Sequence, residues 1–293
     1  MSSSSSSSSS FSIGAVVASA VAGASLGALA STYLRPAKTV RKDLIPFLSS
    51  QGKAVVTSKA NASDHDHAHV DYHFERISHE DARERSKAFA EFLTMRRSLR
   101  FYSNEDVPLD IIENCIEAAG TAPSGAHTQP WYFCVVKTAA LKEQIRQAVE
   151  IEEEVNYQRR MNKVWVGECN ILVSALPDAY IKPYLTEAPY IIVVMKRSHD
   201  VEPDGTRKEV YYPEQSCGIA SGLLITALHN ANLATLTSTP MGAESKIRTI
   251  LGRPANEKVY LLMPVGYPAA DGTVPYRTDA ELRKPMKDIY QLY

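Results

Sequence analysis

The sequence lacks the features that mark several common classes of protein. Its 32 lysines and arginines are balanced by 33 aspartates and glutamates, so it has no basic excess of the kind that nucleic-acid binders usually show. No G-x-G-x-x-G follows a strand pattern and no G-x-x-x-x-G-K-[ST] occurs, which argues against Rossmann and P-loop sites. After residue 75 there is no G-x-S-x-G either. A Ser/His hydrolase that uses Ser124 therefore stays only a weak alternative.

Cysteine is also scarce, and no C-x-x-C pair is present. Two of the cysteines, Cys115 and Cys134, fall in apolar helix and strand patterns, and the other two are Cys169 and Cys217. This wide spacing favours buried free thiols over disulfides, and a reducing compartment.

The N-terminus combines a serine tract with an uncharged apolar run. Residues 1–10 are almost entirely serine and are predicted to be disordered, because they cannot bury apolar surface. Residues 11–34 carry no charge and reach the length of a membrane-spanning helix, which needs about 20 apolar residues. A cleaved signal peptide is the alternative, but no lysine or arginine precedes the run, whereas basic residues follow it within 35–42. The positive-inside tendency then predicts a single-pass membrane anchor with the rest of the chain in the cytosol.

Residues 35–74 form a predicted linker that contains a histidine cluster. His65, His67, His69 and His73 lie close together, and imidazoles are common metal ligands. Their spacing matches no known closed metal site, and their flanks are polar. We therefore predict a solvated linker and no metal site.

From residue 75 to residue 293 the patterns predict a folded domain of the α+β class, because helices and strands mix without regular βαβ alternation. Ser78 and Asp81 form a capping-box pattern at the start of the first helix, which is predicted to end in the arginine-rich segment 96–100. Gly120 is expected to close the second helix as its C′ residue. Residues 162–187 are predicted to be irregular. The other predicted elements are helices at 139–161, 213–231 and 243–251 and strands at 131–136, 190–195, 233–239 and 259–265.

The segment from Thr121 to Trp131 has the composition of a binding loop. It holds prolines, a glycine, hydroxyl side chains and a histidine between a predicted helix and a predicted strand. Such a loop is too rigid for a spacer and too polar for a core. We expect it to be held between two packed elements.

Two groups of charged residues indicate ligands, although each also has a structural interpretation. The segment 96–100 contains three arginines and a serine, which suit the bidentate binding of a phosphomonoester. Basic residues also gather at helix C-termini, where they interact with the helix dipole. Glu153 and Tyr157 share a helical face, and they either hold an ammonium group or lie on a solvated surface.

Three segments in this order resemble the FMN-dependent nitroreductase superfamily: RRSLR at 96–100, APSGAHTQPW at 122–131 and PVGYP at 264–268. Three further segments are similar to those of the branch that dehalogenates tyrosines: EEVNY at 153–157, YIK at 180–182 and TSTP at 237–240. Ordinary nitroreductases lack the set of Glu153, Tyr157 and Lys182 that the first two segments carry. The resemblance extends from about residue 78 to the C-terminus. It implies a nitroreductase-like fold, with a central mixed or antiparallel sheet flanked by helices, and an intertwined homodimer with FMN at the interface.

The resemblance also implies roles for individual residues. The FMN contacts that it implies are Arg96, Arg97, Ser98, Arg100, Pro123, Ser124, Thr237, Ser238, Thr239 and Arg283. The substrate contacts that it implies are the backbone N–H of Ala126 for the phenolate oxygen, Glu153 for the ammonium group, Lys182 for the carboxylate and Tyr157 for a further hydrogen bond. Ala126 and Thr239 would take part in the chemistry, Thr239 through a hydrogen bond to flavin N5. The segments that carry Glu153 and Lys182 would form a lid over the substrate.

The activity that the resemblance implies is reductive dehalogenation of mono- and diiodotyrosine to tyrosine, with release of iodide and with NADPH as ultimate electron donor. No NAD(P)-binding motif is visible, so direct use of NADPH and a separate reductase both stay open. The alternatives are a general FMN-dependent nitro or quinone reductase on the same fold, and a non-enzymatic flavin-binding protein. Gln129 stands where an acidic residue is common, and the 162–181 region is longer than usual. The lid geometry and the preferred halotyrosine therefore stay open.

Overall fold

The computed structural model describes residues 75–172, 175–176, 178–276 and 283–293. The predicted serine tract, membrane anchor, linker and histidine cluster lie outside these residues. None of the helices in the described ranges is both long and apolar enough to span a bilayer. The chain divides into two units, residues 1–89 and residues 90–293.

Helix α1 runs from His79 to Thr94 and begins at the predicted capping box. The backbone N–H of Asp81 donates to Ser78 Oγ at 3.1 Å, and the Ser78 hydroxyl donates to Asp81 Oδ2 at 2.6 Å. The prediction that this helix ends in the segment 96–100 is wrong, because the helix stops at Thr94 and its last turn contains no basic residue. The arginines therefore do not offset the helix dipole.

The larger unit is built on an antiparallel sheet. Its strands are β1 (Trp131–Val136), β2 (Tyr190–Arg197), β5 (Ala234–Thr235) and β6 (Glu257–Gly266). They are hydrogen-bonded in the order β1–β2–β6–β5. A separate hairpin that the sequence patterns did not predict joins β3 (His199–Val201) to β4 (Arg207–Glu209).

Helices pack on both faces of this sheet, and one further helix, Lys163–Leu172, supplies no residue to either core of the described part of the chain. They are α2 (Leu109–Gly120), α3 (Ala139–Val155), α4 (Lys163–Leu172), α5 (Tyr184–Glu187), α6 (Pro213–Asn230) and α7 (Glu244–Ile250). Successive side chains of β2 point to opposite faces. Ile191 and Val193 pack in a core with residues of α3, α5 and α7, whereas Ile192 and Val194 pack in a second core with residues of α2 and α6. Because β2 is buried on both faces, its sequence is a continuous apolar run. The mixture of helices and an antiparallel sheet confirms the α+β prediction.

Several local predictions are corrected. Residues 162–187 contain α4 and α5, which were missed because the sequence of α4 shows no clear apolar stripe. Gly120 is the last helical residue and Thr121 follows with φ −77°, so no left-handed C′ glycine closes α2. The predicted strand 233–239 contracts to β5, since Ser238 makes only an isolated bridge to Leu262. The predicted helix 139–161 ends in a widened π-helical turn, Asn156–Arg160.

The cysteines are reduced, and α6 has one buried and one partly exposed face. All four cysteines are free, and Cys115 and Cys217 are buried, which confirms the prediction of free thiols. On α6, small residues such as Ala220 face the core. Ile219 and Leu223, which helical spacing places together on another face, are 47% and 37% exposed.

Candidate cofactor and substrate site

The arginine-rich segment follows α1 as an extended strand-like stretch beside β5. Ser98 forms a parallel bridge with Thr235, and the N–H of Leu99 donates to the Thr235 carbonyl at 3.4 Å. Thr237 and Thr239, which come directly after β5, are exposed. The structure therefore brings the predicted FMN contacts at 96–100 and 237–239 to the same edge of the sheet.

Arg96, Arg97 and Arg283 form a cluster of like charge at this edge. Arg283 Nη2 donates to the Arg96 carbonyl at 3.0 Å, and Arg97 Nη2 donates to the Pro275 carbonyl at 2.8 Å. Burial, followed by the charges of Arg283 and Arg97, lowers the pKa of the Arg96 guanidinium. No carboxylate in the described part of the chain forms an ion pair with these three side chains. Guanidinium groups that repel one another and lack an acidic partner fit a dianionic phosphate.

A cavity of about 210 Å³ opens beside the next arginine of the segment. Its lining consists of Arg100, Phe101, Ala175 and the residues 273–276. The cavity lies next to the arginine-rich segment and gives a bound group space at this edge of the sheet.

The predicted binding loop has a strained backbone. Ala126, His127 and Gln129 have φ values of 47°, 55° and 44°, in the left-handed region, where a non-glycine residue costs about 1–2 kcal/mol. Side chains hold this conformation: the Gln129 N–H donates to Ser124 Oγ at 3.0 Å. Arg197 Nη2 donates to the carbonyls of Thr128 at 3.0 Å and Gln129 at 2.8 Å. Arg197 was not singled out from the sequence, because only the fold brings it to the loop.

Among the described residues, the backbone N–H groups of Ser124, Gly125 and Ala126 have no acceptor. The N–H groups of His127, Thr128 and Gln129 all have acceptors within the loop, whereas that of Ala126 has none among the described residues. Ala126 is exposed. A Cβ on Gly125 would lie 2.8 Å from the Tyr211 carbonyl oxygen, so the loop packs against the start of α6 too closely for any side chain at that position. The Ala126 N–H is thus a donor in a fixed loop, without an acceptor in the part of the chain that the structure describes.

Within one chain the structure does not bring this loop to the arginine cluster. The loop enters β1 at the end of the sheet where Arg197 pairs with Glu257, whereas Ser98 lies beside Thr235, which pairs with Val265. Glu257 and Val265 are opposite ends of β6, about 25 Å apart at roughly 3.3 Å per residue. Pro123, Ser124 and Ala126 are therefore separated from Arg96, Arg97, Ser98 and Arg283 on the same copy.

The three residues predicted to bind an amino acid zwitterion do come together. Glu153 lies in the last turn of α3, Tyr157 lies in the π-helical turn, and Lys182 lies just before α5. Lys182 Nζ is 3.2 Å from Glu153 Oε2, and the two side chains are only 5% and 17% exposed. The same Nζ is 5.2 Å from the centroid of the Tyr157 ring. Lys182 is held by its backbone as well, since its N–H donates to Glu150 Oε1 at 2.6 Å.

Burial dominates the electrostatics of this group. It lowers the pKa of Lys182, against the opposing effect of the Glu153 carboxylate. Burial, and then the neighbouring Cys169 and Glu153, raises the pKa of the Tyr157 phenol. A buried ammonium, a buried carboxylate and a neutral phenol together offer one partner for each charged end of an amino acid.

Asn156 is a member of the site that sequence reasoning missed. Its fully buried side chain donates from Nδ2 to Glu153 Oε1 at 3.2 Å and to the Met241 carbonyl at 2.8 Å. Met241 follows Thr239 and Pro240 in the chain. Its signals in the sequence were its place in the EEVNY segment and its position at the end of an amphipathic helix, where an asparagine is usually a cap.

Comparison with known proteins identifies the class. A profile of the nitroreductase family matches residues 93–267, more than half of the chain. The chain therefore belongs to the nitroreductase family, and the predicted nitroreductase-like fold is confirmed.

Individual relatives of the chain point to one subgroup of the nitroreductase family. Iodotyrosine deiodinase 1 of Mus musculus is 48% identical over 207 residues, which cover 71% of this chain and 71% of that protein. Iodotyrosine deiodinase of Hydra vulgaris is 46% identical over 220 residues, covering 75% of this chain and 78% of that protein. A crystal structure of oxidized iodotyrosine deiodinase bound to FMN and 3-iodo-L-tyrosine superposes with a TM-score of 0.56 at 26% identity, covering 65% of this chain and 95% of that one. Within the nitroreductase family, the chain is grouped with the iodotyrosine deiodinases.

Proposed function

We propose that this protein reductively removes iodine from mono- and diiodotyrosine and releases tyrosine and iodide. The observation that carries the proposal is the buried group of Glu153, Tyr157 and Lys182, which a general nitro or quinone reductase would not need. The similarity to iodotyrosine deiodinases supports the same conclusion.

FMN fits the residues at the edge of the sheet. Arg96, Arg97, Arg100 and Arg283 supply positive charge for the phosphate, and the hydroxyl groups of Ser98 and of Thr237, Ser238 and Thr239 lie along the same edge. When bound and reduced, FMN supplies two electrons which, with one proton, replace the carbon–iodine bond by a carbon–hydrogen bond and release iodide. Thr239 is our candidate for the hydroxyl that hydrogen-bonds the flavin, because its side chain is exposed at the end of this segment.

The protein orients the substrate through its charged ends. Glu153 accepts from the substrate ammonium group, Lys182 donates to its carboxylate, and Tyr157 adds a hydrogen bond. The Ala126 N–H donates to the phenolate oxygen, and this donor is pre-aimed because the strained loop is fixed before substrate arrives. The lid formed by the Glu153 and Lys182 segments excludes water from the site.

A homodimer completes this site. The loop with Pro123, Ser124 and Ala126 and the arginine cluster of the same chain lie at opposite ends of the sheet, so the loop reaches a shared flavin only if it comes from a second copy. The exposed Ile219 and Leu223 of α6 give such a copy an apolar surface to bury. We propose that each FMN lies between two protomers.

Two further proposals rest on the sequence alone. Residues 11–34 would anchor the chain in a membrane, with the catalytic part in the cytosol. NADPH would supply the electrons, either directly or through a separate reductase.

Product analysis tests the proposed function. The FMN-loaded full chain is incubated with 3-iodotyrosine and dithionite under anaerobic conditions, and tyrosine and iodide are measured. Equimolar tyrosine and iodide are expected. FMN-bound protein that reduces a nitroarene and forms no tyrosine would instead be a general nitroreductase, and FMN-bound protein that does neither would be a flavin-binding protein without this activity.

A further inference from the structure

We propose that Asn156 is a positioning residue that couples substrate binding at Glu153 to the turn that carries Thr239. The inference rests on the proposed function, since it takes Glu153 as the ammonium acceptor and Thr239 as the hydroxyl next to the flavin. The buried amide group of Asn156 connects the substrate-binding helix to the flavin-binding turn.

The Asn156 side chain has no freedom to turn away. Its Nδ2 donates to Glu153 Oε1 at 3.2 Å and to the Met241 carbonyl at 2.8 Å, while its Oδ1 accepts from Arg160 Nη1 at 3.0 Å. It is fully buried, so breaking any of these bonds leaves a polar group without water. Because both Nδ2 bonds come from one amide group, a shift of the Glu153 carboxylate moves Nδ2 and thereby displaces the Met241 carbonyl.

The turn from Thr239 to Gly242 is in direct contact with the end of α3, so a shift of that helix end reaches the turn. The Met241 N–H donates to the Thr239 carbonyl at 2.8 Å, which ties the turn to the residue that faces the flavin. Gly242 has a φ of 95°. A Cβ there would lie 2.5 Å from Glu152 Oε2 and 2.8 Å from Arg160 Nη1. The side chains of Glu152 and Arg160 thus lie against Gly242, so that the end of α3 and its π-helical turn contact the turn 239–242 there as well as at Asn156.

The π-helical turn gives this junction its local shape. The N–H of Met161 donates to the Asn156 carbonyl at 2.9 Å, the i to i+5 bond that widens a helix by one residue. The turn continues directly from α3, since the Asn156 N–H still donates to the carbonyls of Glu152 and Glu153. Asn156 and Tyr157 are neighbours there and point in different directions, Tyr157 toward Lys182 and Asn156 toward Met241.

Spectroscopy of the bound flavin tests the coupling without turnover. The FMN-loaded full chain, in the oxidised state, is titrated with 3-iodotyrosine, and both the Kd and the amplitude of the flavin absorbance change at saturation are recorded. Asn156→Asp removes both Nδ2 donors and keeps the size of the side chain. Gln158→Glu is the matched control, because Gln158 lies in the same turn, is exposed and bonds only Glu154.

A second pair of variants disturbs the junction from the other side. Gly242→Ala strains the turn, because an L side chain rarely adopts a φ of 95°, and it displaces the side chains of Glu152 and Arg160, whereas Gly252→Ala, also at positive φ (63°), meets no atom within 4 Å. We expect Asn156→Asp and Gly242→Ala to lose more than half of the saturating amplitude and the two controls to keep it.

The outcomes separate the coupling from the proposed function. A purely structural role of Asn156 would raise the Kd or lower the unfolding temperature and leave the amplitude at saturation intact; that result in both junction variants overturns the inference. If Asn156→Asp fails to bind FMN, Gly242→Ala decides alone. Wild-type protein that binds FMN and shows no affinity for 3-iodotyrosine refutes the proposed function itself.

Discussion

Replacing Glu153 by glutamine is the sharpest test of how the substrate is held. The change keeps the size of the side chain and one acceptor oxygen, but it removes the negative charge and replaces the second oxygen by an NH2 donor. Glu153 Oε2 lies 3.2 Å from Lys182 Nζ, and the two side chains are 17% and 5% exposed, so solvent screens their charges less than at the surface. A substrate ammonium group that replaces this contact meets the same weakly screened carboxylate.

The expected loss follows from the burial of this pair. A hydrogen bond to a charged group is worth about 1.5–3 kcal/mol, and breaking a buried ion pair costs about 3–5 kcal/mol. The substrate competes with Lys182 for Glu153, so we take the lower range, about 2–3 kcal/mol. That corresponds to a roughly 30- to 150-fold rise in the Kd for 3-iodotyrosine.

The assay is a titration of the FMN-loaded chain with 3-iodotyrosine and with N-acetyl-3-iodotyrosine, which has no ammonium group. Glu153→Gln should weaken binding of the first compound and leave the already weak binding of the second unchanged. Glu154→Gln is the control, since Glu154 is exposed and bonds only Gln158. A loss below threefold for 3-iodotyrosine, or an equal loss for both compounds, would show that Glu153 does not bind the ammonium group.

Three further predictions concern the loop, the lysine and the interface. Gly125→Ala should lower kcat/KM at least tenfold, because its Cβ would lie 2.8 Å from the Tyr211 carbonyl, whereas Gly120→Ala, with no atom within 4 Å, should raise the unfolding free energy by up to about 1 kcal/mol. Burial lowers the pKa of Lys182 below its usual 10.5, so the charged form is lost at a lower pH in the folded protein than in the unfolded chain. Halotyrosine affinity should therefore fall as pH rises toward 10.5, and Lys182→Arg, whose guanidinium stays charged, should shift that fall to higher pH. Leu223→Glu should give a monomer in sedimentation that no longer retains FMN.

Each of these predictions has a contradicting result. Unchanged kcat/KM in Gly125→Ala would mean that the loop does not present a donor to the substrate. Identical pH profiles for Lys182→Arg and wild type would remove Lys182 from carboxylate binding. For the interface, the control is Val201→Glu on the β3–β4 hairpin, 57% exposed; a Leu223→Glu protein that stays dimeric like this control would place the interface elsewhere.

Local patterns in the sequence were sufficient for much of the fold. The apolar runs at 190–195 and 259–265 specify buried strands, because only a strand covered on both faces accepts such a run. The capping box at Ser78 predicted the first residue of α1, since its hydrogen bonds lie within one turn. By contrast, α4 was missed, because its residues show no stripe that would distinguish a helix from a loop.

Long-range contacts decided what the local patterns could not. No rule of sequence places Ala126 in the left-handed region, because alanine avoids it; the guanidinium of Arg197 and the backbone of Tyr211, both far along the chain, hold the loop there. In the same way, only the fold brings the Asn156 side chain to the carbonyl of Met241.

The sequence by itself determined the chemistry of this protein: an arginine-rich segment suited to a phosphate, a loop of rigid and polar residues, and an acid, a phenol and an amine suited to an amino acid. Only the tertiary structure decided which of these meet. It brought Glu153, Tyr157 and Lys182 within contact distance, because α3 and α5 pack on the same face of the sheet. It also separated the loop from the arginines of the same chain, because the register of β2 on β6 places them at opposite ends of the sheet. Side-chain type is a local property, whereas proximity depends on strand order and register, which the whole chain sets.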